Sequence, residues 1–321
     1  MIIFFLAIFI VVCALVSLLQ VGRVGFNTAI ARGREIDITN RESLSHSPYD
    51  THYDEIIKGL NFINSLPYED VYIISRDNLK LHGRLVNTPN AKGTVIIVHS
   101  YRSHPEIDFS VSSNLYYELG LNLLFVDQRA SGQSEGSNIC FGIKERLDCV
   151  DWANYANDGF SSGKPIILAG ISMGAATVLM ASADKKLPDT VCAIIADSPF
   201  TSPAEIIEET IVRILKGKRF LAKVATRAIN LFAKMRAGFS LYQYSTIDAM
   251  KDNTIPIFIA HEKGDKRVPA WMGQKTYEAC NCKKELLICP GDEHGTGYIT
   301  NHAEYTKRLI EFINTNLQNK K

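Results

Sequence analysis

Six apolar runs constrain this chain more than any other feature: TVIIVHS (94–100), LNLLFVD (121–127), PIILAGI (165–171), CAIIADS (192–198), PIFIAHE (256–262) and ELLICP (285–290). Each is followed by a polar loop and, in most cases, by a segment of helical spacing. Strands buried on both faces read as continuous apolar runs, and strands separated by helix-length segments return parallel to one another. The expected fold class is therefore α/β, a mostly parallel central sheet flanked by helices on both faces. Ahead of these runs, DVYIIS and LKLHGRLV flank Arg76-Asp77-Asn78 and read as a hairpin. Ile56, Ile57, Leu60 and Ile63 mark a helix from Tyr53 to Leu66 that Pro67 stops. One interval is longer than a crossover needs. Residues 201–250 hold two amphipathic stretches, AEIIEETIVRILKG and FLAKVATRAINLFAKM, and read as an inserted helical cap.

The first nineteen residues, MIIFFLAIFIVVCALVSLL, carry no charged side chain; the first is Arg23. At about 1.5 Å per residue such a run nearly crosses a hydrocarbon layer of roughly 30 Å. Residues 1–22 are expected to be a transmembrane anchor. The rival, a cleaved signal peptide, calls for a basic leader and a shorter apolar core. Residues 23–66 are expected as a linker and helical lead-in, and 67–321 as the catalytic body. Arg23, Arg32, Arg34 and Arg41 follow the span, which favours a cytoplasmic body. Seven cysteines without framework spacing fit a reducing compartment, and Cys280, Cys282 and Cys289 are poorly spaced for zinc.

In open parallel sheets ligands bind beyond the carboxyl ends of the strands. Those positions hold reactive residues in the order serine, acid, histidine: Ser172 in Gly170-Ile171-Ser172-Met173-Gly174, then Asp265, then His294 in GDEHGTG. This order, with the G-x-S-x-G pentapeptide placed between a strand and a helix, resembles the α/β-hydrolase superfamily over roughly residues 68–316. Within it the chain is similar to single-span, membrane-anchored serine hydrolases of the esterase or peptidase type. These also show a D-x-R-G-x-G-x-S-x-G stretch, here Asp127-Gln128-Arg129-Ala130-Ser131-Gly132-Gln133-Ser134-Glu135-Gly136. Ala130 stands where glycine is usual.

The resemblance implies an α/β-hydrolase fold and a catalytic set of Ser172, Asp265 and His294. Gly170 and Gly174 let the elbow close. His294 takes the Ser172 proton, and Asp265 holds the imidazole. Asp197, after the strand before the cap, competes with Asp265 for that role, as does Asp292. His99 and His261 end apolar runs and are expected beneath the loops, while His104 and His302 are further candidates. The oxyanion donors are Met173 N–H, by the motif's geometry, and Tyr101 N–H, which matches the x of a His-Gly-x loop in His99-Ser100-Tyr101. In the resembling family Asp127 and Arg129 brace loops.

The expected substrate is a small-molecule, lipid or peptide acyl compound, with esters near the membrane ahead of peptide bonds. A non-catalytic, membrane-tethered interaction module is the reading from another class. Cap residues Ile206, Ile207, Ile211, Leu215, Phe220 and Leu221 either line an apolar acyl site or bury the cap on the core. Thirty-five basic residues against thirty-four acidic ones leave a charge of +1, so nucleic acid is not an expected partner. No HExxH, CxxC pair, P-loop or dinucleotide fingerprint is present, and neither metal nor cofactor is expected.

Overall fold

The computed structural model of the chain describes residues 1–33 and 49–318. Its eight strands are β1 (Glu69–Ile74), β2 (Lys80–Val86), β3 (Gly93–Val98), β4 (Leu121–Val126), β5 (Ile166–Ile171), β6 (Val191–Asp197), β7 (Ile257–Glu262) and β8 (Lys284–Cys289). They form one sheet in the order β1-β2-β4-β3-β5-β6-β7-β8. β1 and β2 are the expected hairpin, with Val71 opposite Gly83, and β2 also runs antiparallel to β4. The six strands from the apolar runs are mutually parallel.

The principal helices are α1 (Ile2–Ala29), α2 (Tyr53–Ser65), α3 (Glu145–Asp158), α4 (Met173–Ala181), α5 (Pro203–Ile214), α6 (Arg219–Phe232), α7 (Thr246–Asp252), α8 (Ala270–Ala279) and α9 (His302–Gln318). They explain why the strands read as continuous runs. Ile96 and Val98 of β3 enter one core with Val150 of α3 and Val178 of α4, while Val95 and Ile97 enter another with Ile63 of α2 and Phe312 of α9. Both faces are covered, so alternate positions have no reason to be polar.

The 201–250 interval is a hairpin of α5 and α6 followed by α7, which packs against α4. Ser202 caps α5 by accepting from Glu205 N–H at 3.1 Å, and Pro203 fixes the first turn. Beyond α6 a wide turn, Ala233–Ala237, ends at Gly238 with φ 66°.

The N-terminal helix is longer than the apolar run. It continues past residue 22 to Ala29, so that residues 23–33, expected as linker, are docked on the body. Phe26 and Ile30 are buried in the main core. Gly22 and Gly25 let α1 lie close on α6: a Cβ on Gly22 would come within 2.7 Å of the Ala228 carbonyl oxygen, and one on Gly25 within 2.4 Å of Ile229 Cδ1. Small residues spaced along one helix face permit such an approach. The remainder of the expected linker, residues 34–48 with Arg34 and Arg41, lies outside the described residues. The first part of α1 is exposed, and the helix is long and apolar enough to cross a bilayer.

Candidate active site

β5 ends at Ile171 and α4 begins at Met173, leaving Ser172 alone on the turn with φ 56° and ψ −111°. A non-glycine residue with these angles is held by its surroundings. Ser172 N–H donates to the Asp197 carbonyl at 2.8 Å, and its own carbonyl accepts from Ala176 N–H at 3.0 Å. The flanking glycines are steric necessities. A Cβ on Gly170 would fall 2.3 Å from the Gly174 carbonyl carbon, and one on Gly174 would fall 2.0 Å from the Val98 oxygen.

The loops after β7 and β8 bring Asp265 and His294 together. Asp265 Oδ2 lies 2.5 Å from His294 Nδ1, while Oδ1 accepts from the N–H groups of Arg267 at 2.7 Å and Val268 at 2.9 Å. Burial opposes ionisation of Asp265, yet its contacts with His261 and His294 and the Val268 N–H more than offset this, holding the carboxyl well below the usual range. For His294 burial favours the neutral ring, but the Asp265 carboxylate outweighs it and the imidazole is raised above its ordinary value.

The competing acids are engaged elsewhere. Asp197 accepts from Ser198 Oγ at 2.8 Å and from Tyr305 Oη at 2.9 Å. Burial, followed by the charge of Glu262, pushes its carboxyl up to about 7. Asp292 is exposed and pairs with Lys266 at 2.5 Å. His99 Nε2 accepts from Gln128 N–H at 3.1 Å, and His261 Nε2 sits 2.9 Å from the Val268 oxygen, so both hold loops. Exposed His302 contacts the Tyr298 carbonyl. Asp127 and Arg129 occupy bracing contacts. Asp127 Oδ2 meets His82 Nδ1 at 2.7 Å and accepts from Gln133 N–H at 2.8 Å, and the Arg129 guanidinium bridges Asp148 and Asp77.

Ser172, Met173, Tyr101 and His294 line one cavity of about 510 Å³, within the range of small-ligand sites. Met173 is the first residue of α4, so its N–H has no acceptor within the helix. The loop carrying Tyr101 is pinned by Asp108, a residue the sequence does not single out. Asp108 Oδ2 accepts from Ser100 N–H at 2.5 Å, and Oδ1 accepts from Ser103 Oγ at 2.6 Å and Tyr49 Oη at 3.0 Å. Serine at position 100, where glycine is usual, is thus held through its backbone.

The cap supplies part of the cavity wall. Ile206, Ile207 and Ile211 of α5 line it, but Leu215, Phe220 and Leu221 do not. α6 turns Ala222, Ala225 and Ile229 inward and leaves Phe220 and Leu221 exposed at its start. A wall that sequence reasoning missed comes from α1, whose Gly25, Thr28 and Ala29 face the cavity. The end of α1 is fastened to the Tyr101 loop. Tyr101 Oη donates to the Ala29 carbonyl at 3.0 Å, and Arg102 Nη2 donates to those of Thr28 at 2.8 Å and Ala31 at 3.1 Å. Gly22, Gly25 and Ala29, small residues within a bulky apolar helix, were the available signal.

Glu262, Asp265 and His294 present possible metal ligands within 4.8 Å of one another. Their donor atoms are committed within the protein: Glu262 accepts from Gly297 N–H at 2.6 Å and Ser198 Oγ at 2.7 Å, and Asp265 accepts as described. The trio therefore does not fit a metal without dismantling the His294–Asp265 pair.

A family model described as the prolyl oligopeptidase family matches residues 140–320, more than half of the chain and inclusive of Ser172, Asp265 and His294. The chain is 28% identical over 227 residues to YqkD of Bacillus subtilis, covering 71% of this chain and 72% of that protein. It is also 28% identical over 230 residues to YNL320W, a membrane protein of Saccharomyces cerevisiae, covering 71% and 74%. Among solved structures, the Pyrococcus furiosus esterase Pf2001 superposes with a TM-score of 0.63 at 23% identity, covering 79% of this chain and 92% of that one.

Proposed function

The chain belongs to the prolyl oligopeptidase family and is a hydrolase of the α/β-hydrolase fold, and on that premise we propose that it acylates Ser172 and resolves the acyl-enzyme with water. The observation that carries the reading is that Ser172 and His294 line the same largely apolar cavity, with Asp265 fixed behind the imidazole. With Nδ1 directed to Asp265, Nε2 is the nitrogen left for proton transfer. It takes the Ser172 proton as Oγ attacks the acyl carbon. The C–O or C–S bond to the leaving group then breaks as the imidazolium returns the proton to it. Water repeats the sequence on the acyl-enzyme and releases the acid. Met173 and Tyr101 N–H groups receive the negative charge that develops on the carbonyl oxygen, and each such donor is worth about 3 kcal/mol of transition-state stabilisation.

The substrates proposed are esters or thioesters of apolar acyl chains beside a membrane, because Ile206, Ile207 and Ile211 and the end of α1 make the cavity wall. Peptide-bond hydrolysis is the second reading, favoured by the family description. We place the body, about residues 67–321 with its cap at about 201–250, on the cytoplasmic side of a single span, since Arg23 and Arg32 follow the apolar run. Fluorophosphonate labelling of the full chain, lost in Ser172→Ala and His294→Ala, is expected. Folded wild-type protein that does not label would favour a non-catalytic interaction module. Comparison of acyl esters of graded length with aminoacyl-peptide analogues separates the substrate classes, and preference for the peptides would overturn the ester assignment.

A further inference from the structure

We propose that the tip of the cap hairpin, residues 215–223, is a membrane-docking element that sets Phe220 and Leu221 among the lipids of an anionic leaflet. This rests on α1 being a membrane span, and is independent of which bond the site hydrolyses.

The placement follows from two helices that descend together onto the body. The end of α1 is held at residues 137–139, where Ile139 N–H donates to Ile30 at 2.7 Å and Arg32 N–H donates to Ser137 at 2.8 Å. The chain leaving α6 reaches the later part of α1, where the Arg236 guanidinium lies 5.7 Å from the Phe26 ring and 5.4 Å from the Phe232 ring. α1 and α6 therefore run in the same direction, touching at Gly22 and Ala228. The start of α6 lies nine residues before that contact, about 13 Å towards the membrane-spanning part of α1. That offset is of the same order as the roughly 5–10 Å depth at which interfacial elements settle. The contacts of Tyr101 and Arg102 with the end of α1 fix this relation.

The tip has the chemistry of such an element. Among the described residues, Phe220 is left 78% exposed and Leu221 49% exposed. Between Glu209 and Asp248 the chain carries eight Lys and Arg residues and no acidic one. Lys216, Lys218 and Lys223 are exposed and, among the described residues, have no carboxylate within ion-pair distance. Only Arg219 is paired at the tip, with Glu209 at 2.6 Å. Apolar side chains ringed by long basic ones suit the boundary between acyl chains and anionic headgroups. Ile214, at the edge of the tip, also lines the cavity with Gly25 of α1. Docking would hold the cavity mouth against the bilayer, so a lipid-borne ester enters without crossing water.

The test uses full-length protein in nanodiscs of phosphatidylcholine alone or mixed with phosphatidylglycerol, carrying acyl-chain-brominated lipid. Phe220→Trp provides the reporter, with wild type as the baseline for Trp152 and Trp271. Bromolipid should quench the added fluorescence, more strongly in the anionic discs. Lys216→Glu/Lys218→Glu/Lys223→Glu should abolish the anionic preference and lower hydrolysis of a disc-embedded long-chain ester about tenfold, leaving a water-soluble short ester unaffected. Absence of quenching in both discs, quenching unaltered by charge reversal, or a signal that follows protein concentration rather than lipid, which would assign the face to a second copy, overturns the proposal. Lost ester hydrolysis with quenching intact defeats the hydrolase reading alone.

Discussion

Ile30→Ala should destabilise the hydrolase body, although Ile30 sits just beyond an apolar segment and reads in the sequence as linker. The side chain is fully buried in the main core, and its carbonyl accepts from Ile139 N–H at 2.7 Å, so the cavity left behind cannot close freely. Truncating a buried isoleucine costs about 2–5 kcal/mol, against about 0.5 kcal/mol or less for an exposed linker position. For a body of this size each kcal/mol moves the melting midpoint by about 2–4 °C, so the expected loss is about 4–20 °C. The measurement is thermal unfolding of the full chain in a mild detergent, followed by circular dichroism. Ile74→Ala, at an exposed strand position, serves as control. A midpoint for Ile30→Ala equal to that of the control would refute the docking of residues 23–33 on the body.

Asp265→Asn should leave the fold intact and lower kcat on the order of 10⁴-fold, because the imidazole loses the partner that orients it and stabilises its cation. In the proposed mechanism, wild-type His294 must be neutral to act as base. Its raised pKa therefore puts the acid limb of kcat/KM above the ordinary histidine value, and activity falls as pH drops through it. In Asp265→Asn that limb should move to lower pH; an unmoved limb would assign it to another group. Ala130→Gly should stabilise the protein by up to about 1 kcal/mol, since Ala130 is held at φ 60°, where a Cβ is disfavoured. Equilibrium unfolding in urea reads this directly, and a loss of stability would mean that the buried methyl outweighs the strain.

Much of the site is legible in the sequence because its constraints are local. The elbow needs Gly170 and Gly174 within two residues of Ser172, and strand ends place Asp265 and His294 in loops whose order along the chain is already that of the sheet. Asp197 illustrates the limit. It closes β6 whereas Asp265 lies in the loop past β7, and the contacts that turn Asp197 to Ser198 and Tyr305 separate their roles. Asp108 is less legible still, because its worth lies in gathering Ser100, Ser103 and Tyr49, residues with no shared spacing.

By itself the sequence determined the layered sheet, since burial on both faces writes continuous apolar runs, and it determined an N-terminal segment long enough to span a bilayer. Where that segment leaves off being exposed and docks on the body was decided by tertiary structure. Gly22, Gly25, Phe26 and Ile30 have no meaning until α6 and the residues around Ile139 arrive opposite them. The same holds for Phe220 and Leu221, which share an amphipathic pattern with the cavity-lining isoleucines yet face outward. Hydrophobic periodicity names a face but not its neighbour, and the neighbour is set by contacts between residues about one to two hundred positions apart.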